Sequence, residues 1–167
     1  MKILYAVNTL KRCCNLLLLL SLFACNPPHK ELLQALQTVD EHVLPTGHYV
    51  IIPNQGCEGC ISTAEDFVKR HYTSARDVKY IFTRVQSLKL LRIKLGSEVM
   101  SSSKVLVDSG NVIRYPEKEK DIYPMIVTIK DGAIKGIRYQ RPEEDGLGIL
   151  LEGESFLHTV ARPTQQQ

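Results

Sequence analysis

Two cysteines separated by two residues, Cys57-Glu58-Gly59-Cys60, carry the richest chemistry in this 167-residue chain. Thiols at that spacing can work as a dithiol/disulfide couple, supply half of a tetrahedral metal site, or close a small structural bridge. A metal site needs two further ligands; there is no second CxxC, but His48 and His71 flank the pair in sequence and could complete a Cys2His2 set. A purely structural bridge usually closes a longer loop, where the entropic gain is larger. A redox couple needs a thiolate, and the N-terminus of a helix stabilises one through its open N–H groups and the positive end of its dipole.

The elements that must position the pair are readable around it. "HYVIIP", residues 48–53, is a short β-branched apolar run bounded by turn residues, as expected of a strand buried on both faces. Ile61, Ala64, Phe67, Val68 and His71/Tyr72 then recur at helical spacing, so the pair lies at a strand-to-helix junction with Cys57 at the helix start. Upstream, Leu32, Leu36, Val39 and Val43 predict a helix over 30–43, ended by Pro45-Thr46-Gly47. Downstream, "DVKYIFTRV" reads as a strand, "SLKLLRIKLG" as a short helix stopped by Gly96, and "KVLVDSGNVIRY" as a strand with a turn at 108–111. "YPMIVTIKDGAIKGIRYQ" reads as a hairpin turning at Asp131-Gly132, and a last helix is expected around Leu150–Val160. The charged run Glu117–Asp121 reads as a solvated loop, and Tyr49, Tyr139 and His158 as packing residues. The pattern predicts an α/β fold: a central mixed β-sheet flanked by helices, parallel first and antiparallel at a C-terminal β-hairpin followed by a helix.

The first 25 residues differ in kind. Lys2, Lys11 and Arg12 precede the uncharged run "CCNLLLLLSLFAC", which gives a basic region, a short apolar core and small Ala24 before Cys25. That apolar run is shorter than the roughly 20 residues needed to span a bilayer. Leu22-Phe23-Ala24-Cys25 resembles the lipobox of bacterial lipoproteins, which implies a signal peptide over 1–24 and a lipid on Cys25. The expected organisation is then signal peptide 1–24; lipid anchor, stiff Pro27-Pro28 spacer and N-terminal helix over 25–45; folded domain over 46–162; and a disordered tail over 163–167. Removing Lys2, Lys11 and Arg12 leaves 18 Lys/Arg against 18 Asp/Glu, and a neutral domain offers nothing to nucleic acid. Cys13 and Cys14 leave with the signal, so Cys57 and Cys60 are the only thiols of the folded part, in an exported compartment where disulfides persist.

Cys57-Glu58-Gly59-Cys60 opening a helix after a buried strand, with Tyr123-Pro124 leading into a hairpin, resembles the thioredoxin fold over about residues 46 to 160. With the lipoprotein signal it is most similar to the exported TlpA-like thiol-disulfide oxidoreductases. The resemblance implies that Cys57 is the nucleophile, Cys60 the resolving thiol, and Pro124 a cis proline facing the pair and shaping the substrate groove. It implies no cofactor and no metal. Its partners would be exported protein thiols and disulfides, an upstream redox donor, and the membrane through the anchor, in the bacterial cell envelope. Three residues depart from the pattern: Gly56 replaces the usual Trp, Ile51 stands where thioredoxin has a buried Asp, and Glu58 puts a carboxylate beside the nucleophile. A neighbouring carboxylate disfavours a thiolate, so the couple is expected nearer the reducing end. The alternative is a non-catalytic lipoprotein that keeps the fold as a binding module and the cysteines as a permanent bridge.

Overall fold

The computed structural model describes residues 29–151; the signal peptide, Cys25, the diproline spacer, His158 and the 163–167 tail lie outside the described residues, as does all but the start of the helix expected around Leu150–Val160. The described elements are α1 (Lys30–Val39), β1 (Gly47–Pro53), α2 (Glu58–His71), β2 (Val78–Thr83), α3 (Leu88–Leu95), a one-turn α4 (Ser97–Met100), β3 (Val105–Asp108), a 3-10 turn (Lys118–Lys120), β4 (Met125–Lys130) and β5 (Ala133–Tyr139).

The strands form one sheet in the order β3-β2-β1-β4-β5. β1 pairs parallel with β2 and β2 with β3, while β1/β4 and β4/β5 are antiparallel, which is the mixed sheet expected. β1 is the middle strand, and Tyr49, Val50, Ile51 and Ile52 are all at zero exposure. Its alternating side chains feed two separate cores, as the two-residue period of a strand requires. Val50 and Ile52 pack with Ile61, Ala64, Phe67 and Val68 of α2 and Leu91 and Leu95 of α3. Tyr49 and Ile51 pack with Leu32, Ala35 and Leu36 of α1 and with Met125 and Val127 of β4. The crossovers from β1 to β2 and from β2 to β3 step the same way along the sheet, so with the usual hand both lie on one face, where α2 and α3 share a core.

Two elements end earlier than their patterns predict, both because a buried aspartate captures main-chain N–H groups. α1 stops at Val39, before Val43: the Asp40 carboxylate accepts from the His42 N–H at 3.1 Å and turns the chain out of the helix. β3 stops at Asp108, whose carboxylate takes the N–H groups of Val112 (2.9 Å) and Ile113 (3.0 Å) and the Thr83 hydroxyl (3.0 Å), leaving 112–115 no ladder to join. The hairpin turn falls at Asp131-Gly132 as expected, both at positive φ (54° and 71°) as a type I′ turn demands. Ser87 caps α3 by accepting from the Leu90 N–H at 3.3 Å, and Gly96 ends it at φ 92°.

Asp40 also ties α1 to the sheet. It accepts from the Tyr49 hydroxyl at 2.5 Å and pairs with the Lys79 ammonium at 2.6 Å, with both charged side chains largely buried. Burial pushes the Asp40 carboxyl up, but the Lys79 ammonium, the Tyr49 hydroxyl and the His42 N–H together outweigh it and hold it below the ordinary 3.8. A folded-state value below the unfolded one stabilises the fold fully above the unfolded value and is lost as pH falls through the folded one. Asp40→Asn is therefore expected to cost about 3 kcal/mol at neutral pH by stranding Lys79. In urea denaturation, the difference from the native chain should close as the pH is taken below 3.8.

Candidate functional site

The pair sits where β1 ends. After Pro53 the Asn54 N–H bonds the Thr83 carbonyl at 3.0 Å, so the chain stays beside β2 for one more residue before it turns into α2. Cys57 is the N-cap of α2, in extended conformation (φ −66°, ψ 97°), with no side chain capping the helix. Its carbonyl accepts from the Ile61 N–H at 2.9 Å, which begins the helical ladder. Cys57 and Cys60 are joined as a disulfide with Cα atoms 5.3 Å apart. Their environments differ: Cys57 is half-buried, whereas Cys60, one turn on, is 5% exposed. Cys57 is therefore the more accessible residue of the two.

The segment that approaches the pair from across the sheet is 120–124. The register of β4 on β1 sets Met125 opposite Ile51, which brings the residues before β4 to the pole where β1 ends. There the Ile122 carbonyl accepts from the Cys57 N–H at 2.9 Å. The approach leaves no room for a side chain at Gly56: a Cβ there would lie 2.6 Å from the Ile122 Cα, and φ is +146°. The Trp expected by resemblance is absent for that reason, since only glycine tolerates both the conformation and the contact. Gly59, by contrast, has nothing within 4 Å of a Cβ.

Pro124 is buried at this pole, and its carbonyl accepts from the Gln140 N–H at 2.9 Å. The expectation of a cis bond is corrected: no peptide bond among the described residues is cis. The Tyr123 N–H is held by the Lys120 carbonyl at 3.1 Å, and the chain enters β4 through the trans form that X–Pro bonds prefer by about 0.5–1 kcal/mol. The residue touching the backbone of the pair is Ile122, two before Pro124, which the sequence reading did not name. Its one sequence signal was the glycine directly before Cys57.

The electrostatic surroundings are sparse. Glu58 is exposed in the first turn of α2. Ile51 is fully buried in β1. Glu65, buried on α2, is engaged by Lys94 of α3 at 2.6 Å and so joins the two helices. The two histidines weighed for a metal site are led away from the pair by the fold. His71 ends α2, about 20 Å along the helix from Cys57 at 1.5 Å per residue. His48 stands at the opposite end of β1, with its ring beside the Thr128 hydroxyl at 3.2 Å. Among the described residues no three His, Cys, Asp or Glu side chains cluster as a metal site. The charged run 117–121 is more than a solvated loop: it forms the 3-10 turn, pairs Lys120 with Glu117 at 2.5 Å, and gives Asp121 to Arg84 at 3.3 Å. Tyr49 and Tyr139 pack in the core of the α1 face.

A parallel β1-α2-β2 crossover, an antiparallel β4-β5 hairpin on the other side of β1, and a CxxC pair opening α2 make this a thioredoxin-like α/β protein, with β3 added at the β2 edge. Among solved structures it is similar to one described as a "putative thioredoxin" from Neisseria meningitidis, at 16% identity, covering 69% of this chain and 77% of that one, with a TM-score of 0.41. No family model and no curated protein matches the chain.

Gly56→Ala is expected to destabilise the fold by about 2–4 kcal/mol, combining a strained φ with a clash against main chain. Gly59→Ala in the same turn should be neutral or stabilise by up to ~1 kcal/mol. Equal effects of the two in chemical denaturation would contradict the close approach of Ile122.

Proposed function

We propose that this chain is a thiol-disulfide oxidoreductase, TlpA-like in kind, tethered to the bacterial envelope through a lipid on Cys25 and acting on exported proteins. The observation that carries the reading is the asymmetric pair at the start of α2: a half-exposed Cys57 at the helix N-terminus and a buried Cys60 within disulfide reach.

In the reducing direction the reduced protein presents Cys57 as a thiolate, favoured by the helix end. The thiolate attacks one sulfur of a client disulfide; that S–S bond breaks, a mixed disulfide to Cys57 forms, and the departing client thiolate takes up a proton. Cys60 loses its proton and attacks the Cys57 sulfur, which releases the second client thiol and leaves the Cys57–Cys60 disulfide. Two electrons have passed to the client. A dithiol donor restores the pair by the same exchange in reverse. Ile122, whose carbonyl takes the Cys57 N–H, and Pro124 two residues on would border the client chain. The chemistry uses the two sulfurs and needs no cofactor.

Glu58 opposes the helix end, because a carboxylate beside Cys57 disfavours its thiolate. A couple whose thiolate is less stabilised is less oxidising, and this supports the reducing direction. The rival reading, a binding module with a permanent bridge, draws on Ile51 in place of a buried carboxylate and on Glu65 being engaged by Lys94.

Two measurements test the proposal. Cys57→Ser should lower insulin reduction to the uncatalysed background, while Cys60→Ser should accumulate a mixed disulfide on Cys57. A Cys57→Ser protein as active as the native chain would overturn the roles, and a disulfide that resists millimolar dithiol would favour the module. Titration against glutathione should place the couple well below about −120 mV, the strongly oxidising end of the range; a potential at that end would overturn the direction.

A further inference from the structure

We propose that Arg84 is a positioning residue for the cysteine pair: it holds Asp121, and so fixes the adjoining Ile122 where its carbonyl takes the Cys57 N–H. The functional consequence rests on the reading of the pair as a redox couple; the positioning itself does not.

Arg84 is the first residue after β2 and stands in the left-handed region at φ 57°, uncommon for a residue with a side chain. Its own N–H donates to the Asn111 side-chain oxygen at 2.9 Å, and Asn111 is itself left-handed at φ 48°. The end of β2 and the start of the 109–124 connection are pinned together in this way. The guanidinium lies 5.7 Å from the centre of the Tyr115 ring, a cation–π distance. Beneath it the Tyr115 hydroxyl donates to the Ile51 carbonyl at 3.4 Å, and the ring stacks on Tyr139 at 6.4 Å. From that platform one nitrogen reaches the Asp121 carboxylate at 3.3 Å and the other donates to the Asp121 main-chain carbonyl. One side chain thus grips both the side chain and the backbone of the residue before Ile122, with the two nitrogens held in the fixed geometry of a planar fork.

Release of that grip would loosen the Ile122 carbonyl from Cys57. The Cys57 N–H, at the positive end of α2, would then be open to its own sulfur, and the partial negative charge of the carbonyl would withdraw. Both changes favour the thiolate. Loss of Arg84 is therefore expected to make Cys57 more acidic and the couple more oxidising, while the displaced Ile122–Pro124 wall fits a client less well.

The test uses the full chain, reduced, with iodoacetamide as probe and Cys57 alkylation read by peptide mass spectrometry across pH. Arg84→Ala should move the midpoint of the rate profile down by about half a unit or more. Arg84→Lys should fall between it and the native chain, and Asp121→Asn should move the midpoint in the same direction. Insulin reduction by Arg84→Ala should lose roughly tenfold or more in kcat/KM, the order of loss that a small misplacement produces. An unchanged alkylation profile with a lowered melting temperature would overturn the proposal and leave Arg84 merely structural. If Arg84→Ala does not fold, Arg84→Lys and the half-exposed Asp121→Asn decide by the same profile. A shifted profile in a chain that never reduces insulin would support the positioning and overturn the redox reading, so the two failures are distinguishable.

Discussion

The hydrogen bond from the Cys57 N–H to the Ile122 carbonyl joins two stretches of main chain 65 residues apart, and the cysteine pole is organised around it. One stretch leaves the buried centre of the sheet; the other arrives at β4 after crossing the α1 face from β3. Because the bond is between backbones, the side chains must make way for it, which explains a glycine at position 56. The bond also spends the N–H of the helix N-cap on a carbonyl, so less of the positive end of α2 is left for the nearby sulfur.

What allows this approach is the rigidity of β1. With Tyr49, Val50, Ile51 and Ile52 fully buried, and with ladders to β2 and β4 on its two edges, the strand has no freedom to shift its end. Burying such side chains contributes about 1.5–3 kcal/mol each, so small rearrangements at the pole cannot be relieved by moving the strand. Adjustment is left to the 109–124 connection, which has no ladder of its own. It is held instead by side chains: Asp108 at its start, Tyr115 against Ile51, and Arg84 near its end.

The sheet and its helices were legible because they follow from local pattern. "HYVIIP" carries the unbroken apolar run of a two-faced strand, α2 its three- and four-residue spacing, and Asp131-Gly132 a turn only certain residues make. The cysteine pair could be placed at a helix start for the same reason. What could not be read were partnerships across long separations. Asp40 and Asp108 look like ordinary turn residues until the fold buries them, and then they end α1 and β3 early. Arg84 and Asp121 are 37 residues apart, and nothing in the charged run 117–121 marks which of its members will be claimed. The resemblance supplied Pro124 as a cis proline; the bond before it is trans, and the main-chain hydrogen bond to Cys57 comes from Ile122, two residues earlier.

The chemistry of the pair then turns on three nearby influences of opposite sign. The N-terminus of α2 brings partial positive charge toward Cys57 and favours its thiolate. Glu58 on the adjoining residue brings negative charge and opposes it. The Ile122 carbonyl occupies the Cys57 N–H and opposes it as well. The first is built into every pair that opens a helix; the other two belong to this chain. On the proposed redox reading, the last two limit how far the helix end can favour a Cys57 thiolate. A couple whose thiolate is less stabilised holds its own disulfide more firmly once formed and gives electrons away more readily. The reducing direction proposed for this pair rests on those two features, Glu58 and the Ile122 carbonyl, outweighing what the helix end supplies.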